Sequence, residues 1–147
     1  MILNIKRENA MILVSACLAG YRCRYDGDTK PSEEIMALVR AGKAIPICPE
    51  ALGGLPCPRL PSERTADDTR VMASDGRDVT ESFLRGANEA LRIAKLYGCE
   101  RAILKARSPS CGLGTIYDGS FSGGLRQGNG VTAELLLQNG VAVETRD

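Results

Sequence analysis

The sequence predicts an α/β fold: a single domain with a parallel or mostly parallel sheet and helices on both faces. Three observations predict it. Short apolar runs alternate with helix-period segments, the order in which a crossover helix returns the chain to lay down the next parallel strand. The 147 residues amount to one ordinary domain. Long Gly-, Pro- and Ser-rich stretches follow the expected strands, and in such folds the loops beyond the carboxyl ends of the strands carry the ligands. Residues 1–10 read as an N-terminal extension and 11–147 as the domain.

Met11-Ile12-Leu13-Val14-Ser15 reads as a strand buried on both faces, ending at Cys17. Leu18 to Lys30 has the turn chemistry of a loop. Pro31 and Ser32 open a helix with Glu33 and Glu34 in its first turn, where the macrodipole favours anions; Ile35, Met36, Leu38 and Val39 form its apolar stripe and Gly42 stops it. Ala44-Ile45-Pro46-Ile47 is a second strand, placed at an edge or irregular position because Pro46 cannot donate to a ladder, and it ends at Cys48. Pro49 to Val79 holds four prolines and three glycines with no helical period, an excursion with a small hairpin at Asp75-Gly76. Thr80 is the expected N-cap of a long helix, Glu81 to Tyr97, with Phe83, Leu84, Ala87, Ala90, Leu91 and Ala94 on its apolar face. Ala102-Ile103-Leu104 makes a third strand. A loop from Ala106 to Gly130 follows, then a helix from Thr132 to Asn139 and a terminal strand, Val141-Ala142-Val143.

Composition removes several function classes. Nineteen Lys and Arg against eighteen Asp and Glu leave a net charge of +1, without the long-range field of a dedicated nucleic-acid binder. The absence of histidine excludes Ser-His-Asp and Cys-His catalysis and His-ligated zinc. Val14-Ser15-Ala16-Cys17 imitates a lipoprotein cleavage box, but the apolar run before it is shorter than the roughly 7–15 residues of a signal core. No run approaches the roughly 20 residues of a membrane span. A cytoplasmic, reducing location is expected, where six cysteines point to metal or catalysis rather than to disulfides.

Cys17, Cys48 and Cys111 each follow an expected strand, so the topology places all three at one edge of the sheet although 31 and 63 residues separate them. Three thiolates about 6 Å apart repel by roughly 8 kcal/mol in total at an effective dielectric of about 20. A cation is therefore required. Three sulfurs suit zinc or an iron–sulfur cluster, with a fourth position open to water or substrate. Glu50, in Cys48-Pro49-Glu50, stands within reach of a ligand at that position. Ser108 and Ser110 flank Cys111 and offer hydroxyls to sulfur or substrate, while Lys105, Arg24 and Arg59 can neutralise an anionic cluster or substrate. Cys99 falls at the opposite edge and reads as buried filler; Cys23 and Cys57 are reserve ligands or sulfur carriers.

At these residues the chain resembles the 2-thiouracil desulfidase family, once classed as a bacterial domain of unknown function. The resemblance rests on Val14-Ser15-Ala16-Cys17-Leu18-Ala19-Gly20, Cys23-Arg24-Tyr25-Asp26-Gly27, Cys48-Pro49-Glu50 with Gly53-Gly54-Leu55, Ser108-Pro109-Ser110-Cys111-Gly112, Ile116-Tyr117-Asp118-Gly119 and Gly130-Val131-Thr132-Ala133, in that order, between about Met11 and Thr145. It implies a 4Fe-4S cluster held by three cysteines with one iron free, matched here by Cys17, Cys48 and Cys111. It also implies catalysis by Glu50 and a serine of the third motif, Ser108 ahead of Ser110; the residues themselves place Ser110, Lys105 and Arg24 as the expected substrate-binding groups. The implied reaction is non-redox removal of sulfur from a thiolated nucleobase or similar small thiocarbonyl compound, released as hydrosulfide. Two rivals stand beside it: a closed zinc–thiolate structural module with Cys23 or Cys57 as fourth ligand, and a protein acting on thiolated RNA.

Overall fold

The computed structural model describes residues 10–147, so the expected N-terminal extension, residues 1–10, lies outside the described residues but for Ala10. Four parallel strands form the central sheet: β1 (Ile12–Ser15), β2 (Ala44–Ile47), β5 (Arg101–Lys105) and β8 (Ala142–Arg146), in the spatial order β2-β1-β5-β8. Leu13 lies between Ile45 of β2 and Ala102 of β5. The proline-containing β2 takes an edge, as its missing donor requires.

Side chains alternate across the sheet, and both sets are covered. Leu13, Ile47, Ala102 and Leu104 pack against Ala90, Leu91 and Ala94 of helix α3 (Thr80–Leu96) and Leu136 of helix α4 (Val131–Gln138). Val14, Ala44 and Ile103 pack on the other face against Ile35 of helix α1 (Glu33–Arg40). Each fully buried Leu or Ile contributes about 1.5–3 kcal/mol, and truncating Leu136 to Ala costs about 2–5 kcal/mol. The Ser32 side chain caps α1 by accepting from the Ile35 N–H at 3.4 Å.

Several expectations are corrected. The excursion after β2 begins with a one-turn helix, α2 (Pro49–Leu52), and its paired hairpin is β3 (Ser62–Arg64) with β4 (Val71–Ala73), turning near Asp68. Asp75-Gly76 does form a turn, closed by a bridge between Met72 and Asp78. Thr80 is the first residue of α3 rather than its cap: Asp78 accepts the Thr80 N–H at 2.9 Å, while the Thr80 hydroxyl accepts from Val71 N–H at 2.9 Å and ties helix to hairpin. Leu84 points outward, 48% exposed. The loop after β5 contains a second hairpin, β6 (Thr115–Tyr117) with β7 (Leu125–Gln127), too short to leave a periodicity. Among the described residues, no helix is long and apolar enough to cross a membrane.

Candidate metal and active site

Three neighbouring strands end side by side, and the chain leaving each turns into one cavity of about 480 Å³. Cys17 lies in the 3-10 turn Ala16–Ala19 beyond β1, Cys48 is the N-cap of α2 beyond β2, and Cys111 lies in the turn beyond β5. All three line the cavity as free thiols, together with Cys23, Glu50 and Lys105. Parallel topology thus achieves what the spacings of 31 and 63 residues give no local reason to expect.

The turn carrying Cys111 is held by its own first serine. Ser108 Oγ accepts the N–H groups of Ser110 and Cys111, both at 3.0 Å. From the other side, the N–H groups of Gly130, Val131 and Thr132 donate to the carbonyls of Gly112, Pro109 and Ser110 at 2.7, 2.9 and 2.9 Å. The unsatisfied donors at the start of α4 therefore brace the turn. A side chain at position 130 would collide with the Ser110 backbone, which is why glycine stands there.

Glu50 is fixed by two devices. Gly53, which caps α2, and Gly86 of α3 let the two backbones touch: a Cβ on either would run into a carbonyl of the other segment. Arg59, its side chain 6% exposed, places Nε 3.4 Å from Glu50 Oε1 while Nη1 donates to Pro56 O at 3.1 Å and Nη2 to Cys23 O at 2.9 Å. One guanidinium thereby joins the carboxylate, the Cys23 loop and the chain after α2. Burial alone would lower the Arg59 pKa, but the Glu50 charge and hydrogen bond leave it raised.

The fold opposes bare thiolates. Burial pushes the Cys111 thiol up to about 12. The neighbouring Cys17 thiol and burial bring Cys23 to about 11, against an opposing contact with Cys48. Cys48 is raised further, first by Cys23 and then by burial. Nearby groups act in the opposite direction, the hydroxyls of Ser15 and Ser110 lowering the Cys111 thiol and the Ala51 N–H lowering that of Cys48. Lys105 is held below its ordinary value by burial and by the nearby charges of Arg107 and Arg24. Such thiols lose their protons when a metal replaces them, and the surrounding cations and hydrogen bonds then receive the anionic sulfur.

The family model for 2-thiouracil desulfurase matches residues 12–147. The chain belongs to this family. It is 47% identical over 141 aligned positions to the uncharacterized protein YbbK of Bacillus subtilis strain 168, with 90% of this chain and 93% of that protein covered. The solved structure of a 4Fe-4S-dependent thiouracil desulfidase, TudS, superposes with a TM-score of 0.87 at 45% identity, covering 93% of this chain and 91% of that one.

For a desulfurase-family chain, the donor set can be tested against an iron–sulfur group. Three thiols from three separate strand ends, lining one cavity with Arg59 and Lys105, suit a bulky anionic cluster. Cys57 is exposed, its thiol donating to the carbonyls of Arg22 and Arg24 at 3.2 and 3.3 Å, outside the cavity lining. It drops out as a ligand candidate.

Of the other expected site residues, Ser108 and Arg24 line the cavity. Ser110 does not: it is 1% exposed and its hydroxyl bonds Thr132 Oγ1 at 2.8 Å, so it anchors the Cys111 turn to α4 rather than facing substrate. Cys99 is buried in the core under α3, as its place before β5 requires. Sequence reasoning missed Glu63 and the aromatic rim of Tyr25, Tyr117 and Phe121. Phe121 adopts φ 58°, a left-handed conformation unfavourable for a bulky residue, and buried Glu63 holds it there by accepting the N–H groups of Gly119 at 2.9 Å and Phe121 at 3.1 Å. The Gly- and Ser-rich setting of Phe121 was a visible signal of a turn; nothing local marked Glu63 as its anchor.

Proposed function

We propose that this protein is a 4Fe-4S-dependent desulfidase that converts the C=S group of a thiouracil-type compound to C=O with water, releasing sulfur as hydrosulfide without net oxidation or reduction. The observation that carries the reading is the gathering of Cys17, Cys48, Cys111 and Glu50 on one cavity, in a chain whose solved neighbour is named as such an enzyme. Cys17, Cys48 and Cys111 would hold the cluster. When bound, the cluster supplies a Lewis-acidic iron that polarises the C=S bond.

The chain's own residues then have distinct tasks. Glu50, oriented by Arg59, takes a proton from the attacking water and returns it as the sulfur departs. Ser108 Oγ already accepts two N–H groups, so its hydroxyl proton is the group's remaining means of contact and donates to the substrate. Lys105 and Arg24 compensate negative charge in the cavity. The rim of Tyr25, Tyr117 and Phe121 offers apolar faces suited to a flat heterocycle. A reducing, cytoplasmic setting suits the six unpaired thiols.

Anaerobic purification, iron and sulfide analysis, and measurement of sulfide released from 2-thiouracil test the reading. A brown protein releasing one sulfide per uracil formed is expected; a colourless zinc protein, or an iron protein that releases no sulfide, contradicts it. Glu50→Gln is expected to keep the chromophore and lose about 10²–10⁴-fold in turnover. A fully active Glu50→Gln variant removes that carboxylate from the mechanism.

A further inference from the structure

Glu63 has no task in the reaction described above beyond holding the loop at Phe121, and that task uses half of its carboxyl group. It lies in β3 on the cavity wall and is only 8% exposed. Both loop contacts, from the N–H groups of Gly119 at 2.9 Å and Phe121 at 3.1 Å, go to Oε1, and among the described residues no group donates to Oε2. The guanidinium groups of this region are engaged elsewhere: Arg64 with Glu134 and Asn129 O, Arg126 with Asp68 and Thr65 O. Nor is Oε2 sealed inside the protein, since among the described residues the fully enclosed side-chain polar atom without a partner is Arg126 Nε. A carboxyl oxygen can accept two hydrogen bonds, and buried polar groups are as a rule paired. Oε2 is thus a fixed acceptor on the cavity wall that the fold leaves unspent.

Resting on the desulfidase reading and narrowing its substrate class, we propose that Glu63 determines specificity, its Oε2 accepting a ring N–H of the thiouracil-type substrate while its Oε1 holds the Phe121 rim. Such rings carry N–H groups beside the C=S carbon, and a site that would leave a buried acceptor unpaired rejects ligands without the matching donor. The anchor matters as much as the acceptor. Two backbone N–H bonds to Oε1 restrain the carboxyl plane, so the group that reads the edge of the ring also sets the aromatic face beside it. Glu50, by contrast, is placed by Arg59 on the one-turn helix beyond β2 and keeps the proton transfer. Glu63 forms no covalent bond and moves no proton.

Holoprotein prepared anaerobically tests this with uracil, which carries both ring N–H groups and is not consumed, and with 1-methyluracil and 3-methyluracil, each lacking one of them. Calorimetric Kd values are compared for the wild type and Glu63→Gln, whose amide oxygen can still accept from Gly119 and Phe121 while its NH2 group replaces Oε2. Glu63→Gln is expected to weaken uracil binding about 10–100-fold, the range for a hydrogen bond to a carboxylate. One methyl compound should show the same loss; the other, lacking the N–H that Glu63 accepts, should bind both proteins equally. The kcat/KM for 2-thiouracil should fall by the same factor as uracil affinity, with iron content and visible spectrum unchanged. Unaltered uracil affinity and kcat/KM in Glu63→Gln overturn the proposal. So does an equal loss for all three ligands, because the residue then acts only through the Phe121 loop. A wild type that shows the expected binding pattern yet releases no sulfide from 2-thiouracil defeats the functional reading alone, so the two failures are distinguishable.

Discussion

The cavity is bounded by two regions built on opposite principles. On one side are the ends of β1, β2 and β5, whose positions follow from apolar burial: Leu13, Val14, Ile103 and Leu104 are fully buried, and each cysteine donor follows a parallel ladder. On the other side the β3–β4 and β6–β7 hairpins, with three-residue strands, bury only Val71, Ala73 and Ile116 among their apolar side chains and are otherwise tied down by charge. Arg64 pairs with Glu134 and donates to Asn129 O at 2.7 Å; Arg126 pairs with Asp68 and donates to Thr65 O at 2.9 Å; Glu63 holds the tip that carries Phe121. Packed cores have few alternative arrangements, whereas these pairs leave the Glu134 and Asp68 carboxylates 39% and 48% exposed, where an ion pair is worth about 0–1 kcal/mol. The proposed metal donors therefore stand on the stiff side and the aromatics proposed to face substrate on the soft one.

The largest effect expected from this contrast concerns iron. Cys17→Ala, Cys48→Ala and Cys111→Ala should each lose most of the iron bound by the wild type. Cys99→Ala removes only a buried sulfur, and should keep its iron while losing about 1 kcal/mol of stability. Iron analysis beside a urea midpoint for each variant separates the two outcomes. Equal iron in all four would show that the strand-end thiols are packing residues like Cys99, and the contrast between ligand and filler would collapse.

The stiff side was legible in the sequence because it obeys periodic rules. The apolar runs at 11–15 and 102–104, the edge proline Pro46 and the alternation of strand and helix suffice to put Cys17, Cys48 and Cys111 at one edge. The soft side was not. Strands such as Ser62–Arg64 and Thr115–Tyr117 are too short to show alternation, and Glu63 reaches the loop at Gly119 across 56 residues of sequence. Ser110 illustrates a third case: its neighbour Cys111 suggested a site role, but which hydroxyl turns inward depends on α4, where Thr132 claims it. Arg59 was legible as a charge and illegible as a clamp, because its partners lie on three separate segments.

An intermediate effect sharpens the division of labour. Phe121→Ala removes one aromatic face from the cavity without touching a strand end. Aromatic pairs are worth about 0.5–1.5 kcal/mol beyond their area, so KM for 2-thiouracil should rise about two- to tenfold. Iron content and the visible spectrum should stay at wild-type values. A Phe121→Ala variant that loses iron would mean that the rim supports the metal donors, against the separation drawn here.

The smallest effect is a difference in acid response. Asp67 in the β3–β4 turn is held at about 2, below its ordinary 3.8, by the hydroxyls of Thr65 and Thr69; Asp78 and Asp118, beside the hairpins, are lowered chiefly by Thr80 and Ser120. A carboxyl with a depressed folded-state value stays ionised after the unfolded chain has taken up its proton. The stabilisation it provides is therefore present above the ordinary value and fades as pH falls through the folded one. Between about pH 5 and pH 2, amide hydrogen exchange corrected for intrinsic rate should accelerate in the hairpins before it does in β1 and β5. Asp67→Asn, which no longer titrates, should weaken that pH dependence in the β3–β4 turn and leave β1 and β5 unchanged. If hairpins and sheet instead lose protection together at every pH, the two regions unfold as one unit, and the rim is no softer than the strand ends it faces.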